Sequence, residues 1–182
     1  MIFVPTTIEG AFLVELEPHR DERGFFARSW CREEYLAHGL KSELAQCAIS
    51  HNDRLGTLRG LHYQAPPHAE TKLVRCTRGR IFDVIVDLRP SAPTFKSWWS
   101  TELSADNRHM VYIPEGLAHG FLSLEDHSEV TYQMSTPYRP ESARGARYDD
   151  DAFAITWPFP PEVIGPRDLA FPPFDEAACE FS

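Results

Sequence analysis

Fifteen prolines and ten glycines punctuate the 182-residue chain from end to end and leave few stretches in which a helix of ordinary length can run unbroken. Proline lacks a backbone donor and glycine loses the most entropy on ordering, so regular structure is confined to the short runs between them. Such punctuation favours many short strands joined by turns. The clearest strand lies within 79–90. There Phe82, Val84, Val86 and Leu88 share one face by the period of two, and Ile81, Asp83, Ile85 and Asp87 share the other. Further strands are predicted at 11–16, 57–64, 72–77, 95–103, 109–113, 120–124 and 129–134. One helix is predicted over 30–38, capped by Ser29 and stopped by Gly39, with a short turn at 104–107. From about residue 155 the chain is rich in proline and aromatics, including Trp157, Phe159, Phe171 and Phe174, as expected of a tail that packs on a barrel. Residues 1–182 therefore read as one all-β domain, a sandwich or jelly-roll barrel with a few short helices.

Twenty-seven acidic residues against 18 basic ones give a formal charge of −9, which argues against a nucleic-acid partner while leaving room for a small anion held by a few arginines. The start, Met1-Ile2-Phe3-Val4-Pro5, lacks the basic and apolar regions of a signal peptide. No run approaches the ~20 apolar residues of a membrane helix. Cys31, Cys47, Cys76 and Cys179 form no Cys-x-x-Cys pair, so free thiols are expected rather than a zinc knuckle or disulfide framework. A cytoplasmic chain without a membrane partner is expected.

Several polar residues sit where chemistry is possible. In Leu58-Arg59-Gly60-Leu61-His62-Tyr63-Gln64, alternation puts His62 on the face of Leu58, Gly60 and Gln64. His62 is then either a core histidine satisfied by backbone or a base facing a cavity. His119 follows the Pro114-Glu115-Gly116 turn and either pins it or serves with His62 as a metal ligand. The two histidines raise the question of a metal, but a His-rich site wants a second ligand where the chain has Gln64, and no metal is expected. Lys72 opens a strand, where it is either solvated or able to steady an oxyanion. Tyr132 lies among apolar neighbours, as a core aromatic or a general acid. Arg23 precedes Gly24-Phe25-Phe26, joining a guanidinium to a pair of aromatics, and reads as a loop arginine over a hydrophobic plug.

The ordered set Asp21-Glu22-Arg23-Gly24-Phe25-Phe26, Leu58-Arg59-Gly60-Leu61-His62-Tyr63-Gln64, Lys72-Leu73-Val74-Arg75-Cys76, Ile81-Phe82-Asp83-Val84 and Ile113-Pro114-Glu115-Gly116-x-Ala118-His119-Gly120-Phe121 resembles the dTDP-4-dehydrorhamnose 3,5-epimerase family of the cupin superfamily. The likeness continues through Tyr148-Asp149-Asp150 and Ile155-x-Trp157-Pro158 to Arg167-Asp168 and covers roughly 5–175. It implies a cupin-type jelly roll, a homodimer, and a nucleotide-sugar substrate epimerised at C3, C5 or both without cofactor or metal. By motif, His62 matches the general base, Asp168 the carboxylate that orients it, Tyr132 the acid and Lys72 the cation beside the C4 oxygen. Asp83 is the alternative partner for His62. Arg23, Arg59, His119 and Arg167, together with Lys72, match substrate contacts, and Tyr138 an aromatic beside the nucleotide base. Strict alternation puts Arg59 and His62 on opposite faces, so both serve one pocket only if the strand bulges at Gly60. The chain departs from the family pattern at Arg28, at Gln46-Cys47-Ala48-Ile49 and at Ala143, all positions expected to bear on recognition rather than on the catalytic group.

Overall fold

The computed structural model of the chain describes residues 1–181. In chain order its strands are β1 (Ile2–Pro5), β2 (Phe12–Glu15), β3 (His19–Asp21), β4 (Gly24–Phe26), β5 (Gln46–Asn52), β6 (Thr57–Gln64), β7 (Lys72–Arg78), β8 (Arg80–Asp87), β9 (Trp98–Ser104), β10 (Met110–Ile113), β11 (Leu117–Ser123), β12 (Ser128–Met134), β13 (Ala143–Gly145) and β14 (Val163–Ile164). Two short helices, α1 (Arg32–Ala37) and α2 (Pro166–Leu169), complete the description apart from a 3-10 turn at Glu176–Ala178. One sheet runs β1-β2-β10-β7-β12-β5 and the other β13-β6-β11-β8-β9, with β14 added to β6; β3 and β4 form a separate hairpin. The two sheets close on one core as a jelly roll. Val74, Cys76, Val111, Ile113 and Val130 from the first meet Ile81, Ile85, Leu103, Leu117 and Phe121 from the second.

Alternation explains which residues enter that core. On β8, Ile81 and Ile85 face inward, while Val84, Val86 and Leu88 form a second buried cluster on the outer face. That outer face is dry because Ile155, Trp157, Phe174 and Phe181 pack over it. The Trp157 Nε1–H donates to the Tyr148 carbonyl at 2.9 Å, so the partly buried indole is satisfied. The first sheet's outer face is covered by α1 only in part, where Tyr35 and Leu40 pack on Val14, Leu73, Met110 and Tyr112.

The helix differs from its sequence expectation. It starts at Arg32, with Cys31 rather than Ser29 in the N-cap position and no side-chain cap, whereas Gly39 beyond its end takes φ +71° as expected of a stop. Strand β5 was not among the predicted strands, since Gln46, Ser50, His51 and Asn52 hide its pattern.

The irregularity that matters most is in β6. Its partner β11 pairs His119 with His62 and Phe121 with Arg59, so three steps on β6 oppose two on β11. The extra residue is a β-bulge at Gly60-Leu61 that brings Arg59 and His62 to the same side. Gly60 takes φ +115°, and a Cβ there would stand 2.6 Å from the Gly120 Cα. Gly60→Ala therefore should cost about 2–4 kcal/mol through backbone strain and displaced β11. Urea unfolding measures this directly; a midpoint unchanged from wild type would show that the two strands can part without cost.

Candidate active site

Beneath the bulge, the polar side chains of β6, β7, β11 and β12 converge on a cavity of about 220 Å³. Arg59, His62, Lys72, His119, Tyr132, Tyr138 and Arg167 all line it. The inward positions follow from register: His62 and His119 are direct cross-strand partners, and Tyr132 pairs with Val74 two residues along from Lys72.

His62 is held from behind. Its Nε2 lies 2.7 Å from Asp168 Oδ1, and Asp168 Oδ2 accepts the Gly60 N–H at 3.0 Å. The aspartate arrives there because β14 runs parallel to Thr57-Leu58, after which Gly165 and Pro166 open α2. Burial pushes the Asp168 carboxyl up, but the bonds from His62 and the Gly60 amide, with the nearby charges of His62 and Arg167, outweigh it and hold the group below the usual carboxylate range. A carboxylate only accepts, so in the neutral imidazole the proton sits on Nε2 and Nδ1 keeps the lone pair. Phe171 stands edge-on to the His62 ring at 6.0 Å and under the Arg167 guanidinium at 5.9 Å. A side chain on Gly145 would strike that ring.

The alternative partner, Asp83, is not at His62. It is fully buried on β8 and its Oδ1 lies 2.7 Å from His119 Nε2, giving a second histidine–carboxylate pair beside the first. Its other oxygen, Oδ2, has no hydrogen-bond partner among the described residues. The assignment of Asp168 to His62 and Asp83 to His119 follows from β8 pairing with β11 and not with β6.

Lys72 is buried. Its Nζ donates to the His62 carbonyl at 3.1 Å and lies 3.2 Å from Glu70 Oε1, which compensates its charge. Glu70 is a residue the motif reading missed, and only its place two residues before Lys72 hinted at it. Gln64 proves to be a brace: its Nε2 donates to the carbonyls of His68 and Pro137 and to Glu70, and its Oε1 accepts the Arg139 N–H at 2.6 Å. Tyr132 packs edge-on to His119 with ring centroids 6.0 Å apart. Burial pushes its phenol far above the usual value, the Asp83 charge adds to this and Arg59 works against it, so at neutral pH it keeps its proton. Arg59 is fixed by Asn52 Oδ1 at 2.8 Å and the His51 carbonyl at 3.1 Å. Tyr138 stands exposed at the mouth, with its N–H bound to Gln46 Oε1.

One predicted contact lies elsewhere. Arg23 is on the β3–β4 hairpin, with 84% of its side chain exposed and paired to Asp21, and it does not line the cavity. The hairpin projects from the barrel because three-residue strands with Gly24 at the turn carry no core-facing pattern.

The chain is similar to known proteins over nearly its whole length. Residues 5–176 match the family model for dTDP-4-dehydrorhamnose 3,5-epimerase. A dTDP-4-dehydrorhamnose 3,5-epimerase of Shigella flexneri is 40% identical over 170 residues, 93% of each chain. The crystal structure of the Elizabethkingia anophelis dTDP-4-dehydrorhamnose 3,5-epimerase superposes with a TM-score of 0.92 at 34% identity, covering 96% of both chains. That of Bacillus anthracis, with TDP and PPi bound, gives 0.91 at 36% identity, covering 95% of this chain and 99% of that one.

The Asp168 carboxyl lies lower in the fold than in the unfolded chain, so its ionisation favours folding above the ordinary carboxylate value of ~4, and the advantage is lost as pH falls through the lower folded value. Wild type should thus lose more thermal stability between ~pH 6 and ~pH 3 than Asp168→Asn does. Parallel melting-temperature profiles would mean that the carboxylate gains nothing from His62 and Gly60.

Proposed function

The chain belongs to the dTDP-4-dehydrorhamnose 3,5-epimerase family, and from that premise we propose how its pocket carries the reaction. The reaction is epimerisation of a dTDP-linked 4-keto-6-deoxy sugar, converting dTDP-4-dehydro-6-deoxyglucose to dTDP-4-dehydrorhamnose. Its chemistry is internally balanced. One proton leaves a carbon beside the C4 ketone, another returns from the opposite face, and no electrons are exchanged. The demands are a base, a stabiliser of the enolate oxygen and an acid across the sugar ring.

The observation that carries the assignment is the convergence of His62, Lys72 and Tyr132 on one cavity, with Asp168 fixing the imidazole from outside it. His62 Nδ1, the nitrogen left with a lone pair, takes the proton from C3 or C5, and Asp168 steadies the imidazolium that results. The electrons pass to the C4 oxygen as an enolate, beside which the Lys72 ammonium stands already desolvated and needs no reorganisation. Tyr132, protonated at neutral pH, delivers a proton to the other face of the same carbon. Its high affinity for a proton is no obstacle, because a ketone's α-carbanion is the stronger base. His119, held by Asp83, contacts sugar oxygens. Arg59 and Arg167 bind the diphosphate, which suits fixed guanidinium forks. Tyr138 stacks on the base at the open mouth. The cavity of about 220 Å³ is smaller than the ~300–1,000 Å³ of sites enclosing whole ligands, as suits a site that encloses the sugar and leaves the nucleotide outside.

A homodimer is part of the same reading. Its support is an uncovered groove of about 580 Å³ on the outer face of the first sheet, lined by Cys47, Ile49, Thr131 and Gln133. Ile49, 68% exposed, lies in this groove, and Phe26, 77% exposed, stands three residues before Ser29 at its rim. Arg23, remote from its own cavity, reaches a substrate diphosphate only from the hairpin of a second copy.

Proton NMR of dTDP-4-dehydro-6-deoxyglucose in D₂O tests these roles. Wild type should exchange the protons at C3 and C5 and form the inverted sugar. His62→Ala should lose exchange at both by ~10²–10⁴-fold. Tyr132→Phe should still wash deuterium in from the His62 face while inverted product falls by a similar factor. Normal exchange in His62→Ala removes it from the base role, and normal inversion in Tyr132→Phe removes the phenol from the acid role. For the dimer, sedimentation should give twice the chain's mass for wild type and less for Ile49→Asp; a monomeric wild type contradicts it.

A further inference from the structure

The turn that follows β5 and the turn that precedes β12 lie side by side, since β5 pairs His51 with Glu129 and Asn52 with Ser128. They are stitched together from beneath. The His127 N–H donates to the Asp53 carbonyl at 3.3 Å, buried Asn52 donates through Nδ2 to the Ser128 carbonyl at 3.1 Å, and Asp126 Oδ1 accepts the Leu55 N–H at 2.7 Å. Three exposed side chains stand on this support. One ligating atom each from His51, Asp53 and His127 lies within 4.8 Å of the other two. His51 Nε2 is 3.4 Å from Asp53 Oδ1, and the two imidazoles stack with centroids 5.9 Å apart at 21°. None of the three lines the substrate cavity.

We infer that His51, Asp53 and His127 form a site for one divalent cation of the zinc class. Two imidazoles and one carboxylate are a donor set that zinc accepts, with water free to fill the fourth tetrahedral position. Bonds of ~2.0–2.2 Å in tetrahedral geometry set ligand atoms ~3.3–3.6 Å apart, a separation that His51 and Asp53 already have. Rotation of exposed side chains brings His127 in. His127 holds φ +56°, a left-handed conformation that costs a β-carbon-bearing residue and that presents its ring on the turn. The surroundings select the class of ion. Arg54 and Arg59 border the same surface and the donor set itself carries a single carboxylate, so a hard cation that relies on several carboxylate ligands, such as Mg²⁺ or Ca²⁺, gains little. Imidazole binding survives that field better. Because the His51 carbonyl and Asn52 also hold the Arg59 guanidinium, a cation here ties down the backbone from which a cavity arginine is positioned.

Calorimetric titration of chelator-stripped protein with ZnCl₂ tests the site, together with visible absorption on adding CoCl₂. One equivalent of Zn²⁺ should bind, and His51→Gln and His127→Asn should each weaken it by at least about tenfold. Asparagine is chosen at 127 because it tolerates the left-handed backbone, and matching circular dichroism shows that each variant is folded. Cobalt should give visible ligand-field bands without a thiolate charge-transfer band. Equal Zn²⁺ affinity in wild type and both variants overturns the site, as does a thiolate band, which puts the ion on exposed Cys47 or another thiol. Absence of both heat and cobalt ligand-field bands up to ~1 mM metal also overturns it, since that bounds the affinity at about 4 kcal/mol.

Discussion

Gly60 and Gly120 meet backbone to backbone across β6 and β11, and the site depends on that contact. No other residue pair lets the strands approach so closely while one of them takes in an extra residue. The bulge has two consequences. It turns Arg59 and His62, which alternation alone would separate, to one side of the sheet. It also directs the Gly60 amide at Asp168 and leaves the second carboxylate oxygen for His62. A backbone irregularity thus sets both the direction of the His62 ring and the nitrogen on which the uncharged ring carries its proton.

Around this point the fold gives each buried carboxylate a hydrogen-bonding or charged partner. His62 with Asp168, His119 with Asp83, and Lys72 with Glu70 are each buried in part or in full, and each pair meets the cost of removing charge from water locally. The pairs are not equivalent. Asp168 uses both oxygens, whereas Asp83 leaves one without a partner among the described residues and raises the proton affinity of Tyr132. On the proposed mechanism, a base kept in one tautomer, a cation kept dry and a phenol kept protonated are what proton transfer across a sugar ring requires. The aromatic tail and α2 belong to this machinery as well as to the core, since Phe171 backs the His62 ring and Arg167 lies over Phe171.

Much of this was legible in the chain before folding. The predicted limits of β6 match those observed, and the two faces of β8 separate as the period of two requires, with the tail residues over the outer one. Motif likeness picked out seven residues that the fold brings to one cavity. Other features were hidden for identifiable reasons. β5 carries too many polar residues to read as a strand, because one edge of it faces the cavity and another the turn beyond. The choice between Asp83 and Asp168 rests on which strands are neighbours, a long-range fact that no local pattern encodes. Glu70 and Phe171 act through Lys72 and His62 and belong to no spacing. Arg23 sits on an exposed hairpin and does not line the chain's own cavity, a placement that its motif does not encode.

The central claim is that the Gly60 bulge and Asp168 hold neutral His62 with its proton on Nε2, leaving Nδ1 as the base. Long-range ¹H–¹⁵N correlation of the imidazole ring measures this tautomer in the wild-type protein, with His62→Asn identifying the resonance. In the uncharged ring the account predicts a protonated Nε2 and an unprotonated, pyridine-like Nδ1. A neutral His62 protonated on Nδ1 instead would contradict it.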